Sequence, residues 1–201
     1  MHPTQIQPQR HIIHFGGNIN PATVHNIKSV TLQALSAHRN NQAIPPVSEL
    51  HYMFFSEGGD VPAGIALYNF LRGLDKPVIM HNYSSVESIA TIVFLAADTR
   101  YVVPGGRFLF HNFTLNFPSA AIDAPKLHER ARSIDSYADI FTNIFQERIK
   151  DAKEYVDLAA VFGGSACIMG AETAVRAGVA HKIVAPDGLI DSNDMHWMVS
   201  P

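Results

Sequence analysis

The side chains that could do chemistry in this chain are a serine and a histidine, Ser88 and His111. Ser88 lies just inside a junction between a predicted strand and a predicted helix, and His111 stands at the end of a further strand. A serine hydroxyl is a weak nucleophile unless an imidazole accepts its proton during attack. Upstream, Gly58-Gly59 closes the apolar run 50–55 and leads into a helix. Bare backbone N–H groups at such a junction suit a developing negative charge, so the set favours acyl transfer.

Each of these features is weak when taken alone. A double glycine after a strand is more often a tight turn, and a serine in the first turn of a helix is usually a cap. Ser84 or Ser85 could equally be the N-cap of this helix, and His111 is one of 11 histidines. Other histidines fall on apolar or helical faces that are typical of structural roles, namely His14, His51, His81 and His128. The order of the features along the chain is what favours a site.

The composition excludes several classes of function. Charged residues make up 16% of the 201 residues, against a usual share of about 25%, so we expect other subunits to cover part of the surface. A net charge of −3 without a basic run argues against nucleic-acid binding. The histidines are scattered without a paired ligand spacing, so we expect no metal and no other cofactor. The length suits a single domain over residues 1–201.

The sequence also predicts a soluble, cytoplasmic protein that does not contact a membrane. Cys167 is the single cysteine, which excludes an intramolecular disulfide and fits a reducing compartment. The segment Met1–Arg10 is polar and has no apolar core of a secretion signal. No apolar run reaches the roughly 18 residues that a membrane span requires.

The elements that would position these side chains alternate between strands and helices. Predicted strands are 11–15, 50–55, 77–81, 101–103, 107–110, 166–169 and 179–184, and predicted helices are 21–38, 60–73, 87–97, 123–150, 152–161 and 171–177. The strands are too apolar for a half-exposed sheet, which indicates an α/β fold with helices flanking a largely parallel sheet. Apolar residues recur every three or four positions over 123–150, so this long helix is expected to project or to pack against a neighbouring subunit. The tail 185–201 shows no periodicity.

The order of these motifs resembles the proteolytic subunit of the Clp protease over roughly residues 10–184. The stretch Ser56-Glu57-Gly58-Gly59-Asp60-Val61 is similar to that family's Ser-Pro-Gly-Gly segment, with Glu57 where proline is usual. Val86-Glu87-Ser88-Ile89-Ala90 falls where the family has Ala-Ala-Ser-Met-Gly, and Arg107-Phe108-Leu109-Phe110-His111 resembles the strand that ends in its catalytic histidine. The stretch 171–179 resembles the closing helix, turn and strand, a pattern shared with the wider crotonase superfamily. The resemblance implies an α/β spiral of the Clp and crotonase type with a long projecting helix.

The resemblance also implies roles for individual residues. Ser88 would be the nucleophile and His111 its general base, and the backbone N–H groups of Gly59 and Ile89 would form the oxyanion hole. The substrate would be a peptide or an unfolded protein. The subunits would form a homo-oligomeric ring, and an ATP-dependent unfoldase is a possible partner.

Two departures from the family pattern bear on activity. Glu87 places a carboxylate beside the nucleophile, where it could repel an anionic intermediate or simply point to solvent. The family's third triad member is an aspartate shortly before the strand 166–169, where this chain has Gly164-Ser165-Ala166. Asp157, Ser165 or no residue at all could take that place. Without an orienting carboxylate, the imidazole can hold the wrong tautomer.

Three functions stay open at this point. The first is a serine endopeptidase of the Clp type, which the ordered Gly58-Gly59, Ser88 and His111 favour. The second is a catalytically impaired subunit with an assembly or regulatory role, which the missing aspartate and Glu87 suggest. The third is a crotonase-type acyl-CoA enzyme that uses the same backbone donors to stabilise an enolate. No acidic residue pairs with those donors where the third chemistry requires one.

Overall fold

The computed structural model describes residues 10–114, 123–150 and 152–200. The strands in these parts of the chain are β1 His11–Gly16, β2 Leu50–Ser56, β3 Val78–Glu87, β4 Thr99–Val102, β5 Arg107–Phe110, β6 Cys167–Gly170, β7 Lys182–Ile183 and β8 Met195–Met198. The helices are α1 Pro21–Asn40, α2 Val61–Arg72, α3 Ile89–Leu95, α4 Ala124–Arg148, α5 Leu158–Phe162 and α6 Ala171–Arg176. The predicted N-terminal segment 1–9 and the loop residues 115–122 lie outside the described residues.

All of these strands join one sheet. Its main path runs β6-β5-β3-β2-β1-β8, and β4 branches from β3 to pair with β7. The pairings are parallel except for that of β5 with β6. The predicted α/β fold with a largely parallel sheet is confirmed.

The long strand β3 changes partners halfway along its length. Its first half, Ile79–Asn82, pairs with β4, and its second half, Ser85–Glu87, pairs with β5. At this change the register with β2 also shifts. Phe54 of β2 pairs with Asn82, but Ser56, two residues later, pairs with Val86, which is four residues after Asn82. The extra residues in β3 carry its end away from β4 and alongside β5, which brings the residues that follow β3 and β5 together.

The helices α1 and α2 begin at side chains that cap them. Asn20 accepts hydrogen bonds from the N–H groups of Ala22 and Thr23, and Pro21 starts α1. Asp60 accepts from the N–H of Ala63 at the start of α2. Each such cap is typically worth about 1 kcal/mol of stability. The caps fix where both helices leave the edge of the sheet.

The core lies between one face of the sheet and the helices. Every residue of α3 is buried, as expected of a helix that is apolar on all sides. Arg100 is the largest fully buried side chain, and its guanidinium donates to the carbonyls of Ala97, Arg148, Gly178 and Val179. Burial lowers the pKa of Arg100 to about 10, and the nearby charge of Arg148 adds to that effect. Arg100 therefore remains charged at neutral pH and joins the C-terminal ends of α3, α4 and α6 through carbonyls that those helices leave unpaired.

Predictions from the local sequence pattern were wrong or too long where pairing between distant segments decides the structure. Ser84 and Ser85 belong to β3 and do not cap a helix. The expected helix 152–161 is reduced to α5, and the expected strand 179–184 to β7. The tail, for which no element was predicted, forms β8 parallel to β1, so the pairing edge of β1 orders a segment that has little pattern of its own.

The long helix α4 is confirmed, and it adds little to the core of its own chain. Its 25 residues include only two buried side chains, Phe141 and Phe145. Leu127 in its first turns is 51% exposed, and Ile140 is 37% exposed. Within the described ranges, no helix is both long and apolar enough to cross a bilayer.

Candidate active site

Ser88 occupies a strained turn between β3 and α3. Its φ of 55° and ψ of −133° make it the one non-glycine residue with a positive φ in the described parts of the chain. Such outliers cost on the order of 1–3 kcal/mol and are found most often at functional sites. The turn is held by the Ser88 N–H, which donates to the carbonyl of Leu109 at 2.8 Å, and by the N–H of Thr91, which donates to the Ser88 carbonyl at 3.0 Å. The Ser88 hydroxyl does not cap α3, so it stays available for chemistry.

The glycine pair lies against Ser88. A Cβ added to Gly58 would fall 2.6 Å from Ser88 Cβ and 3.3 Å from Ser88 Oγ. Gly58 and Gly59 have φ values of 96° and 141°, which side chains rarely adopt. A Cβ on Gly59 would fall 2.2 Å from the Ile19 carbonyl oxygen. Both positions therefore require glycine, and the close approach puts this backbone beside the serine hydroxyl.

Hydrogen bonds around the glycine pair leave one donor unpaired. The Ile19 N–H donates to the Gly58 carbonyl at 2.7 Å, and the Asp60 N–H donates to the Ile19 carbonyl at 2.8 Å. The Gly58 N–H donates to Ser56 Oγ at 3.1 Å. No acceptor among the described residues pairs with the Gly59 N–H. Gly59 is thus a fixed, unpaired donor next to Ser88.

Ile89 supplies a second donor on the other side of the serine. It is the first residue of α3, so its N–H has no acceptor one turn earlier in that helix. Its side chain packs against α2, where a Cβ on Gly64 would lie 2.3 Å from Ile89 Cγ1. The predicted group of Gly59, Ser88 and Ile89 is therefore brought together at the ends of β2 and β3.

His111 directly follows β5 and is half-buried. Its Nδ1 lies 2.6 Å from the carbonyl oxygen of Asn112. A carbonyl can only accept, so Nδ1 carries the proton and Nε2 presents a lone pair. This is the tautomer that a general base toward a serine needs. The Asn112 carbonyl therefore favours this orientation and tautomer of the ring.

The serine and the histidine are neighbours that do not share a hydrogen bond. The Ser88 N–H bonds to Leu109, two residues before His111, which sets the two residues side by side at the ends of β3 and β5. Across the described ranges, no hydrogen bond joins the Ser88 hydroxyl to the imidazole. In free enzymes such bonds are often long and tighten only when substrate binds.

The candidates for a third triad member lie elsewhere. The Asp157 carboxylate accepts from the Ala160 N–H at 3.0 Å and caps α5. Ser165 is exposed, and its N–H donates to the Ala160 carbonyl. The antiparallel pairing of β5 with β6 ends at the pair Phe110 and Cys167, so the next position across from His111 is Ala166. No carboxylate stands there.

Of the two possibilities that the sequence leaves open for Glu87, a side chain that simply points to solvent is wrong. Its carboxylate accepts from Arg107 Nη2 at 2.5 Å and from Ser85 Oγ at 2.6 Å, and its side chain is 15% exposed. Burial acts to raise the pKa of Glu87, but the hydrogen bonds from Arg107 and Ser85 and the charges of Arg107 and His111 outweigh it and leave that pKa lowered. The carboxylate is therefore ionised at neutral pH and fixed in place.

Two of the other histidines, His51 and His81, are buried in the sheet, whereas His128 is exposed on α4. His51 Nε2 lies 2.8 Å from Glu49, and its Nδ1 lies 3.1 Å from Nε2 of His81. Burial and the neighbouring His51 lower the pKa of His81 to about 3, so that ring is neutral. In the part of the chain that the structure describes, no group of three or more His, Cys, Asp or Glu is arranged to hold a metal ion.

Two contributors to the site were missed by sequence reasoning. Arg107 appeared only as part of a motif, although a charged residue opening an apolar strand is a signal that it pairs with a charge on a neighbouring strand. The Asn112 carbonyl has no signal in the sequence, because any residue type would present the same backbone atom.

Comparisons with known proteins agree on one family. A family model described as Clp protease matches residues 4–187. The ATP-dependent Clp protease proteolytic subunit 2 of Pseudomonas aeruginosa is 31% identical over 143 residues, which cover 68% of this chain and 66% of that protein. The subunit of the same name in Borreliella burgdorferi is 37% identical over 70 residues, 34% of this chain and 35% of that protein. The matched segments therefore span between about a third and about two thirds of these relatives.

A solved structure is similar over nearly the whole chain. A ClpP1 mutant from Listeria monocytogenes superposes with a TM-score of 0.67 at 15% identity, covering 88% of this chain and 92% of that one. This likeness confirms the predicted Clp-type α/β fold, in which α4 is the long helix.

Proposed function

The chain belongs to the Clp protease family, and from that membership we propose that it is a serine endopeptidase with Ser88 as nucleophile. The observation that carries the proposal is the strained Ser88 turn, whose side chain lies so close to Gly58 that a Cβ added there would fall 3.3 Å from Ser88 Oγ. Strain at a serine that caps nothing has no structural purpose in the helix that follows. The strained turn does place a hydroxyl that caps no helix beside the backbone N–H groups of Gly59 and Ile89.

The geometry supports a two-step mechanism. His111 Nε2 accepts the proton of the Ser88 hydroxyl as Oγ attacks the peptide carbonyl carbon. The N–H groups of Gly59 and Ile89 donate to the oxyanion of the tetrahedral intermediate, and each such donor is typically worth about 2.7–4 kcal/mol of barrier. His111 then gives its proton to the leaving amine, and an acyl group remains on Ser88. Water, deprotonated by His111, attacks that ester and releases the second product.

A fluorophosphonate probe tests the nucleophile directly. We expect the wild-type chain to be labelled and Ser88→Ala to lose labelling, with peptide cleavage falling by about 10⁴-fold or more. Ser84→Ala is the matched control, since Ser84 is an exposed serine four residues earlier on β3. Labelling of Ser88→Ala at the wild-type rate would remove Ser88 as nucleophile.

The impaired-subunit alternative has less support from the site. It predicts an imidazole in the wrong tautomer, whereas the Asn112 carbonyl holds Nε2 free to accept a proton. Cleavage of a short fluorogenic peptide by the purified chain alone separates the two functions. Cleavage that appears only after mixing with another Clp-family subunit would favour the impaired subunit.

We further propose that the chain works as a homo-oligomeric ring of single-domain subunits on unfolded proteins. The support is α4, whose apolar residues such as Leu127 have no partner in the core of this chain. Sedimentation should give a particle several times heavier than the 22.1 kDa chain. A single-chain mass at working concentration would contradict the ring.

An ATP-dependent unfoldase is the partner that we propose, and the cytoplasm the location. The support for the partner is the name of the relatives, ATP-dependent Clp protease proteolytic subunit. Short peptides should then be cleaved without ATP, while a folded substrate should need an ATPase. Equal cleavage of both substrates by the chain alone would argue against the partner.

A further inference from the structure

The third residue of a serine-protease triad performs two tasks. It holds the imidazole in the right tautomer and orientation, and its negative charge stabilises the imidazolium that forms in the reaction. In this chain the Asn112 carbonyl performs the first task at 2.6 Å from His111 Nδ1. A carbonyl has no net charge, and the position across from His111 belongs to Ala166. The second task needs a carboxylate from elsewhere.

The strand register places one carboxylate in reach of His111. In the parallel pairing of β3 with β5, Ser85 stands beside Arg107 and Glu87 beside Leu109. Paired residues of parallel strands share a face of the sheet, so Ser85, Glu87, Arg107 and Leu109 lie on one face. His111 follows Leu109 by two residues. The order along this edge of the sheet is therefore Arg107, Glu87 and then His111.

We propose that Glu87 is a positioning residue for catalysis, whose fixed carboxylate stabilises the His111 imidazolium in place of the missing aspartate. The two tasks of a triad carboxylate are thereby divided between the Asn112 carbonyl and the Glu87 side chain. This inference rests on the proposed function of Ser88 and His111. It explains why the residue next to the nucleophile is a glutamate held from two sides rather than a small side chain.

The Arg107 charge does not cancel this effect. The Arg107 side chain is 50% exposed and the Glu87 side chain 15% exposed, so water screens the guanidinium more than the carboxylate. In the strand register Arg107 precedes Leu109, the partner of Glu87, and His111 follows it, so Arg107 reaches the carboxylate from the side away from His111. The His111 charge also contributes to the lowered pKa of Glu87, after the hydrogen bonds from Arg107 and Ser85 and the charge of Arg107.

Other groups around His111 supply no competing charge. Burial raises the pKa of the Cys167 thiol on β6, so that group is neutral. The Asp157 carboxylate is used at the start of α5. Tyr137 on α4 meets this region only through its ring contact with Phe113. Glu87 is thus a carboxylate whose charge is linked to His111.

The test is the pH dependence of kcat/KM in Glu87→Gln, which keeps the size of the side chain and an acceptor for Arg107. Activity requires neutral His111, so the rate rises with pH along an acid limb. Loss of the carboxylate makes His111 easier to deprotonate, which moves that limb to lower pH by about one unit. The same loss destabilises the imidazolium in the transition state, which lowers the plateau at high pH by roughly tenfold. A merely structural defect would lower the rate without moving the limb.

Two controls complete the experiment. Glu57→Gln removes one charge from the exposed loop before the glycine pair and should leave the acid limb in place. Glu87→Asp keeps the charge, so the acid limb of its kcat/KM profile should lie close to the wild-type pH. NMR titration of the His111 ring measures the same shift without any turnover. An inactive chain would therefore contradict the proposed function, while the titration would still test this inference. An unmoved titration midpoint in Glu87→Gln, or one moved to higher pH, would overturn the inference.

Discussion

The two halves of the candidate site are built in different ways. The half around Ser88 is made of backbone: a positive φ, two glycines without room for a Cβ, and N–H donors fixed by neighbouring hydrogen bonds. The half around His111 is made of side chains at the end of a strand, together with one carbonyl. A site made of backbone loses its geometry when a side chain is added at a glycine, because no other residue type can adopt the glycine conformation. A side-chain site can exchange one residue for another and keep its chemistry.

This difference explains where the chain departs from its family. The glycine pair and the serine turn keep the expected residue types, whereas no aspartate stands in the stretch Gly164-Ser165-Ala166, where the resemblance places one, and an acid appears at Glu87. Orientation and charge can each be supplied from more than one direction, since both act over several ångströms. An oxyanion donor must stand within hydrogen-bond distance of one atom.

The largest effect should come from Gly59→Ala on the backbone half. The added Cβ would lie 2.2 Å from the Ile19 carbonyl oxygen, at a φ of 141° that alanine rarely adopts. The turn must shift, and with it the donor, so we expect kcat to fall by about 10²–10³-fold. Peptide cleavage measures the loss, and thermal unfolding followed by circular dichroism shows whether the fold survives.

Gly105→Ala is the matched control for this prediction. A Cβ at Gly105 would meet nothing within 4 Å, and the residue lies in an exposed turn before β5. Its rate should stay at the wild-type value. Equal rates in Gly59→Ala and wild type would break the contrast between a rigid backbone half and a tolerant side-chain half.

The same contrast separates what the sequence can and cannot predict. Asn20-Pro21 starts a helix and Gly58-Gly59 ends a strand because neighbouring residues decide those conformations. The pairing of Glu87 with Arg107, and the strand β8 at the edge of β1, depend on register between distant segments. Ser84 and Ser85 look like caps locally, yet both belong to β3, and Ser85 pairs with Arg107 of β5. The Asn112 carbonyl could not be predicted, since its role follows from the path of the chain alone.

A smaller effect, in the opposite direction, is expected from Ala166→Asp on the side-chain half. Ala166 is the next position across from His111 and is exposed, so a carboxylate can be placed there at little cost in stability. It would add charge and a second acceptor for Nδ1–H. We expect kcat/KM to rise by about tenfold, equivalent to about 1.4 kcal/mol of transition-state stabilisation. The gain should be larger when Glu87→Gln is also present, because the two carboxylates share one task.

Ser165→Asp is the control for position. Ser165 is the exposed neighbour of Ala166, and its side chain should point away from His111 because the alternation of β6, carried back from Cys167, puts the two neighbours on opposite sides. The rate of this variant should not rise. A similar gain from both substitutions would indicate a general effect of added negative charge rather than a restored triad geometry.

The smallest effect on rate should come from Asp157, the remaining candidate for the third triad member. Its carboxylate caps α5, so Asp157→Ala should lower the free energy of unfolding by about 1 kcal/mol and leave kcat unchanged. Asp157→Asn should restore stability, since asparagine caps a helix as well as aspartate does, and denaturant unfolding measures both. If both variants instead lose about 10⁴-fold in kcat at wild-type stability, Asp157 would be the triad acid. The proposal that the Asn112 carbonyl orients the imidazole while Glu87 supplies the charge would then have no basis.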